Sequence, residues 1–136
     1  MSSIKLDFII AGAEKAGTTF LVNALVKSND LFIPEIEIRH FRDPFYPDQE
    51  RLEEYFPDNK KQRLYGIKHP SYLGRSDVPE RIHTHNPSIK LIFILRNPVE
   101  RAISAYQHYV KNGQISAIHP NIGIPAMLSN PNSSPK

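Results

Sequence analysis

A chain of 136 residues, 40% hydrophobic and 23% charged, can form one soluble globular domain that buries roughly two thirds of its unfolded surface. A net charge of +3 is mild, and it points to an anionic ligand rather than to a nucleic-acid coat. The absence of cysteine excludes disulfides and thiolate metal sites. Met1 to Asp7 carries no long apolar segment and no stretch could span a bilayer, so the expectation is a cytoplasmic protein or a soluble fragment.

In Asp7 to Asn29, DFIIAGAEKAGTTFLVNALVKSN, the run Phe8–Ala11 suits a strand buried on both faces of a parallel sheet. Gly12, Gly17, Thr18 and Thr19 follow, and then Phe20, Leu21, Ala24, Leu25 and Val26 at roughly helical spacing. Strand, glycine loop and helix make the layout of a phosphate-binding loop. Its N–H groups converge on an anion, the helix N-terminus adds partial positive charge, and Lys15 brings a full one. The loop is not that of a nucleotide triphosphatase. Such a loop reads G-x-x-x-x-G-K-[ST], whereas here Thr18 takes the lysine position and Lys15 precedes Gly17. An ordinary turn with a solvated Lys15 is the plainer reading, but two glycines, a lysine and two hydroxyls seldom converge for packing alone.

Next comes EIEIRHFRD, in which alternation would set Glu35, Glu37 and Arg39 on one face of an extended segment. An exposed edge strand explains this as well as a carboxylate facing the loop does. A short surface helix is expected around Leu52, Tyr55 and Phe56, capped by Pro47-Asp48 and closed by Pro57-Asp58-Asn59. Leu64 to Pro70 reads as a second strand with Lys68 at its carboxyl end, where open α/β sheets place ligands. Ser76 to His85 reads as a helix with Asp77 as its cap. His69, His83 and His85 lack the spacing of metal ligands.

Lys90 to Gly113 repeats the strand-to-helix pattern. Leu91–Leu95 predicts a buried strand, with Arg96 at its end, Asn97 as cap, Pro98 in the first turn and Glu100 as capping-box partner. Val99, Ile103, Tyr106 and Val110 give an apolar stripe, and Gly113 closes the helix. Ser104 lies two turns in. From Gln114 the pattern collapses, and Pro, Asn and Ser predict an irregular or disordered tail over 114–136.

With both junctions in hand, the sequence resembles the sulfotransferases that use 3′-phosphoadenosine 5′-phosphosulfate, especially the heparan-sulfate type and its bacterial relatives. EKAGTT, Glu14 to Thr19, looks like that family's 5′-phosphosulfate loop, and LRNPVERAISAY, Leu95 to Tyr106, looks like its 3′-phosphate motif. The resemblance implies an α/β, three-layer P-loop-like fold with a parallel sheet flanked by helices, residues 1–113 being the N-terminal part of such a domain and incomplete at the C-terminus. It implies that Lys15, Ala16, Gly17, Thr18 and Thr19 bind the 5′-phosphosulfate, and that Arg96 and Ser104 bind the 3′-phosphate. EIRHF, Glu37 to Phe41, is similar to the segment whose glutamate serves as base, which selects Glu37 over Glu35. Lys68 in KHPSY resembles a lysine near the transferred sulfonate.

The implied activity is sulfonate transfer to a hydroxyl or amine of a small-molecule or carbohydrate acceptor, with no metal required. The family's runs are about twice as long, and the tail offers no counterpart to the segment that covers the adenine. A non-catalytic nucleotide-binding fragment is therefore an alternative, as is self-association through exposed apolar surface. A P-loop phosphotransferase is a weaker alternative, for want of a lysine at position 18.

Overall fold

The apolar run after Asp7 becomes the middle of a sheet. A computed structural model of the chain describes residues 4–57 and 62–115, and places β1 at Phe8–Gly12 with every residue buried. The other elements are α1 (Thr18–Leu25), β2 (Leu31–Phe32), α2 (Gln49–Glu53), β3 (Leu64–Lys68), α3 (Val78–His85), β4 (Lys90–Phe93) and α4 (Pro98–Lys111). Short 3₁₀ turns occupy His40–Arg42 and Pro70–Gly74. The four strands are parallel, in the order β2-β3-β1-β4, with Phe8 opposite Gly66 on one side and Lys90 on the other.

Side chains alternate across a strand, so β1 feeds two cores. Ile9 and Ala11 join Leu6, Ile67, Phe41, Val78 and Ile82, which covers one face with α3 and the first 3₁₀ turn. Phe8 and Ile10 join Val22 and Ile33, with Leu21 and Leu25 packed against them, which covers the other face with α1. The sheet is the middle of three layers. This is the α/β architecture that the pattern predicts.

Three local expectations are corrected. Leu91–Leu95 is not a buried strand: β4 ends at Phe93, and Leu91, Phe93 and Leu95 are exposed. Its place at the edge of the described sheet, paired to β1 alone, explains this. Glu35 to Arg39 forms no strand, and Ile36 is exposed while Ile38 is buried. The Tyr72 hydroxyl donates to the Ile38 carbonyl at 2.7 Å and accepts the Phe41 N–H at 3.2 Å, taking the place of a strand ladder. Asp77 stands at the start of α3 without capping it, because Arg75 and Arg81 take its carboxylate.

Asp48 does cap α2, accepting the Arg51 N–H at 3.2 Å, whereas Asp58 and Asn59 lie outside the described residues. The chain divides into two compact units, Met1–Arg101 and Ala102–Lys136. In the second, the described residues 102–115 carry α4 to Lys111, Ile103 is exposed, and Gly113 ends the helix at φ 68°. The tail over 116–136 lies outside the described residues. Among the described residues no helix is long and apolar enough to cross a membrane.

Gly66 is where close packing leaves no room for a side chain. A Cβ there would sit well inside contact distance of the Phe8 ring. Gly66→Ala is expected to destabilise the chain by about 1–3 kcal/mol, the usual cost of overpacking. Urea unfolding checks this, and an unchanged midpoint would mean that Phe8 can move aside.

Candidate active site

The loop after β1 is tied at its base. The Ile94 N–H donates to the Gly12 carbonyl at 2.8 Å and the Ala13 N–H to the Ile94 carbonyl at 2.9 Å, so the loop starts between β1 and the end of β4. The Ala16 N–H donates to the Ala13 carbonyl at 3.3 Å, which closes the curl. Lys15 adopts φ 59°, a left-handed conformation that residues with a Cβ uncommonly hold. Gly17 caps α1 at φ 105°, where its lack of a Cβ is required, and no side chain caps the helix. The first N–H groups of α1 thus remain available to an anion, with Thr18 buried and Thr19 exposed beside them.

Lys68 joins this loop to the glutamate segment. It sits opposite Ile10 at the carboxyl end of β3 and is only 8% exposed. Its Nζ donates to Thr19 Oγ1 at 3.2 Å and pairs with Glu37 Oε1 at 3.1 Å. Thr19, Glu37 and Lys68 come from three separate segments, and one ammonium gathers them. Glu35 is exposed and stands apart from this bridge.

Beside Lys68 lies a group that the sequence marked only through KHPSY and through a histidine without metal-ligand spacing. The His69 ring stacks on Tyr72 at 4.5 Å, its Nδ1 hydrogen-bonds Ser71 Oγ at 3.0 Å, and Arg42 Nη1 donates to the same oxygen at 3.2 Å. Burial holds His69 below the usual imidazole range, against the opposing pull of Glu37. The tyrosine of KHPSY pins the backbone that carries Glu37. Deeper in, burial and the nearby His85 lower His40 to about 4, and its Nε2 has no hydrogen-bond partner among the described residues. His85 Nε2 accepts the Leu6 N–H at 3.3 Å. Among the described residues no His, Asp and Glu cluster could hold a metal.

Arg96 follows β4 as expected, and Asn97 Oδ1 caps α4 by accepting the Val99 N–H at 3.0 Å. Glu100 does not reach back to Asn97. Its Oε2 accepts the Arg96 Nε at 3.1 Å instead, because a guanidinium is the stronger donor. Ser104 lies on α4 in the second unit. An open groove of about 500 Å³ borders the loop, lined by Ala13, Glu14, Leu73, Arg75 and Arg101.

The sulfotransferase domain model matches residues 5–133. The chain is 38% identical over 101 residues to heparan sulfate glucosamine 3-O-sulfotransferase 5 of Mus musculus, an alignment covering 72% of this chain and 29% of that protein. It is 31% identical over 109 residues to the membrane-associated sulfotransferase kil1 of Dictyostelium discoideum, covering 77% and 23%. A crystal structure of a sulfotransferase from Alicyclobacillus acidocaldarius superposes with a TM-score of 0.76 at 27% identity, over 85% of this chain and 54% of the other. The chain spans less than a third of the length of these two sequence relatives.

The buried imidazoles fix a pH dependence. A histidine held at about 4 in the folded state and near 6.5 when unfolded binds more protons unfolded throughout that window. Stability is therefore complete above pH 6.5 and falls as the pH drops towards 4, with His69 and His85 adding in the same direction. The urea midpoint should decline between pH 7 and 4.5, and His40→Phe should flatten the decline. An unchanged slope in that variant would remove His40 from the account.

Proposed function

The chain belongs to the sulfotransferase domain family, and we propose that it transfers a sulfonate group from 3′-phosphoadenosine 5′-phosphosulfate to a hydroxyl or amine of a carbohydrate acceptor. One observation carries the reading. The Lys68 ammonium spans Thr19 of the loop and the Glu37 carboxylate, so the loop and the carboxylate to which we assign anion binding and proton removal stand one side chain apart. The carbohydrate class follows from the heparan sulfate glucosamine named for the mouse relative.

The residues fit the donor. The uncapped start of α1 offers N–H groups, Lys15 and Lys68 offer ammonium groups, and Arg96 offers a planar fork to a second phosphate. When bound, the donor supplies a sulfonate whose bond to the bridging phosphate oxygen breaks as the acceptor oxygen or nitrogen attaches. Lys15, with Ala16, Gly17, Thr18 and Thr19, holds the phosphate end and stabilises its growing charge. Lys68 has three donors, enough to keep Thr19 and Glu37 in place while giving a third to the transferred group. Glu37 takes the acceptor's proton on its carboxylate. Arg96 exchanges its exposed Glu100 partner for the 3′-phosphate.

Two measurements test this. Calorimetry should find that adenosine 3′,5′-bisphosphate binds better than ATP with Mg²⁺, and that Arg96→Ala weakens the bisphosphate by about 1.5–3 kcal/mol. AMP should hardly respond, and equal losses for both nucleotides would remove Arg96 from the 3′ site. In a transfer assay, Glu37→Gln should lower turnover about 10²–10⁴-fold with donor binding intact, while Glu35→Gln is mild. The reverse order would place the base at Glu35.

A further inference from the structure

Residues Lys68 to Tyr72 grip the segment from Glu37 to Arg42 in succession. Lys68 takes the Glu37 carboxylate, and the Tyr72 hydroxyl takes the backbone of Ile38 and Phe41. The last grip is Ser71 Oγ, which accepts from Arg42 Nη1 at 3.2 Å and lies 3.0 Å from His69 Nδ1. His69 stands in the middle of this set. Its backbone N–H donates to the Ile10 carbonyl at 3.0 Å, which extends the pairing with β1, and its ring lies within 10° of parallel to that of Tyr72. The side chain is buried.

Counting donors and acceptors decides which way the hydrogen bond between Ser71 and His69 runs. A guanidinium can only donate, so Ser71 Oγ accepts from Arg42. The serine hydrogen then needs an acceptor, and among the described residues His69 Nδ1 is the one it has. Nδ1 therefore accepts, and the neutral ring carries its proton on Nε2. The charge of Arg42 on the shared oxygen makes the hydroxyl a stronger donor and reinforces this order. Protonating Nδ1 would turn the serine around and set a second cation beside the guanidinium. After burial, the groups that act on the ring are divided. Glu37 and Glu14 draw a proton towards it, Arg42 and Arg39 repel one, and Lys68 precedes it in the chain.

We propose that Ser71 is a positioning residue whose hydroxyl, shared between Arg42 and His69, locks His69 as the neutral Nε2–H tautomer and clamps the Glu37 segment to the end of β3. The arginine and the imidazole come from separate segments, and the serine completes the chain between them. Its chemical effect falls on Glu37. A neutral ring with Nδ1 filled does not compete with Glu37 for the acceptor's proton, and it adds no cation to the Lys68–Glu37 pair. This effect on catalysis rests on the transfer reading, whereas the lock itself does not.

The test is a long-range ¹H–¹⁵N correlation spectrum of the histidine rings in the full chain, recorded from about pH 8 to 5 without donor or acceptor. His69 should show a bare Nδ1 and a protonated Nε2. In Ser71→Ala the two nitrogens should average between tautomers, and the ring should take up its proton at a higher pH than in the parent chain. Ser71→Thr keeps the hydroxyl and should restore both properties. A proton on Nδ1 in the parent chain would overturn the lock, as would a Ser71→Ala variant that loses stability while its ring signals stay unmoved. In a transfer assay, Ser71→Ala should lower kcat about tenfold with the donor KM unchanged. The acid limb of its pH profile should move to higher pH, since a cationic His69 makes Glu37 a weaker base, and threonine should rescue both. Altered ring signals with an unchanged acid limb would overturn the effect on Glu37. A chain that shows the fixed tautomer yet transfers nothing keeps the lock and loses the transfer reading. One that transfers sulfonate with a mobile tautomer loses the lock alone.

Discussion

Everything near the site follows from one constraint, the placement of an ammonium at the buried end of a central strand. Lys68 is flanked on β3 by Ile67 and lies opposite Ile10, both fully buried. A cation in such surroundings is tolerable only with oxygen partners. Thr19 and Glu37 supply them, which ties the start of α1 and an irregular segment to the sheet. The pair is asymmetric, because Lys68 is buried and Glu37 is about half exposed. Glu37 keeps contact with water and with anything arriving from outside, while Lys68 cannot follow it there. Charge therefore holds the two halves of the site in register without enclosing the carboxylate.

Tyr72 is the second device. Its hydroxyl sits between the Ile38 carbonyl and the Phe41 N–H, and its ring stacks on His69 directly after Lys68. Burial raises its pKa, so it remains a neutral donor at every physiological pH. The 3₁₀ turn after β3 thereby fixes the backbone on both sides of Glu37. A substitution in KHPSY acts on the carboxylate from a distance of more than thirty residues in sequence.

The elements were legible where sequence pattern and environment agree. Phe8–Ala11 read as a doubly buried strand because it is central, and the glycine loop read as a strand-to-helix turn because Gly17 holds a positive φ that glycine favours. Leu91–Leu95 failed for the same reason in reverse: five apolar residues are consistent with burial on both faces, yet composition does not reveal an edge position. Glu35–Arg39 failed because alternation is a two-residue pattern that a side-chain hydroxyl can override. Glu37, Arg96 and Ser104 came from motif resemblance, and spacing alone left Glu35 and Glu37 equivalent. The bridge through Lys68 is a tertiary fact. No local signal says that an ammonium at position 68 meets a hydroxyl at 19 and a carboxylate at 37.

The division of the site between rigid and irregular backbone has a consequence for specificity. The groups proposed to meet the donor stand on strand ends and a helix start: Lys68 on β3, Arg96 after β4, and Thr18 and Thr19 in α1. Regular elements hold side chains tightly, which suits a ligand with two anionic groups at fixed separation. Glu37 and the segment after it stand on loop backbone, held at few points by Tyr72 and by the Asp43–Arg51 pair. Loops accept substitution without loss of the sheet. Changes on that loop backbone, at Phe45 or Asp48, therefore need not disturb the bridge between Thr19, Lys68 and Glu37.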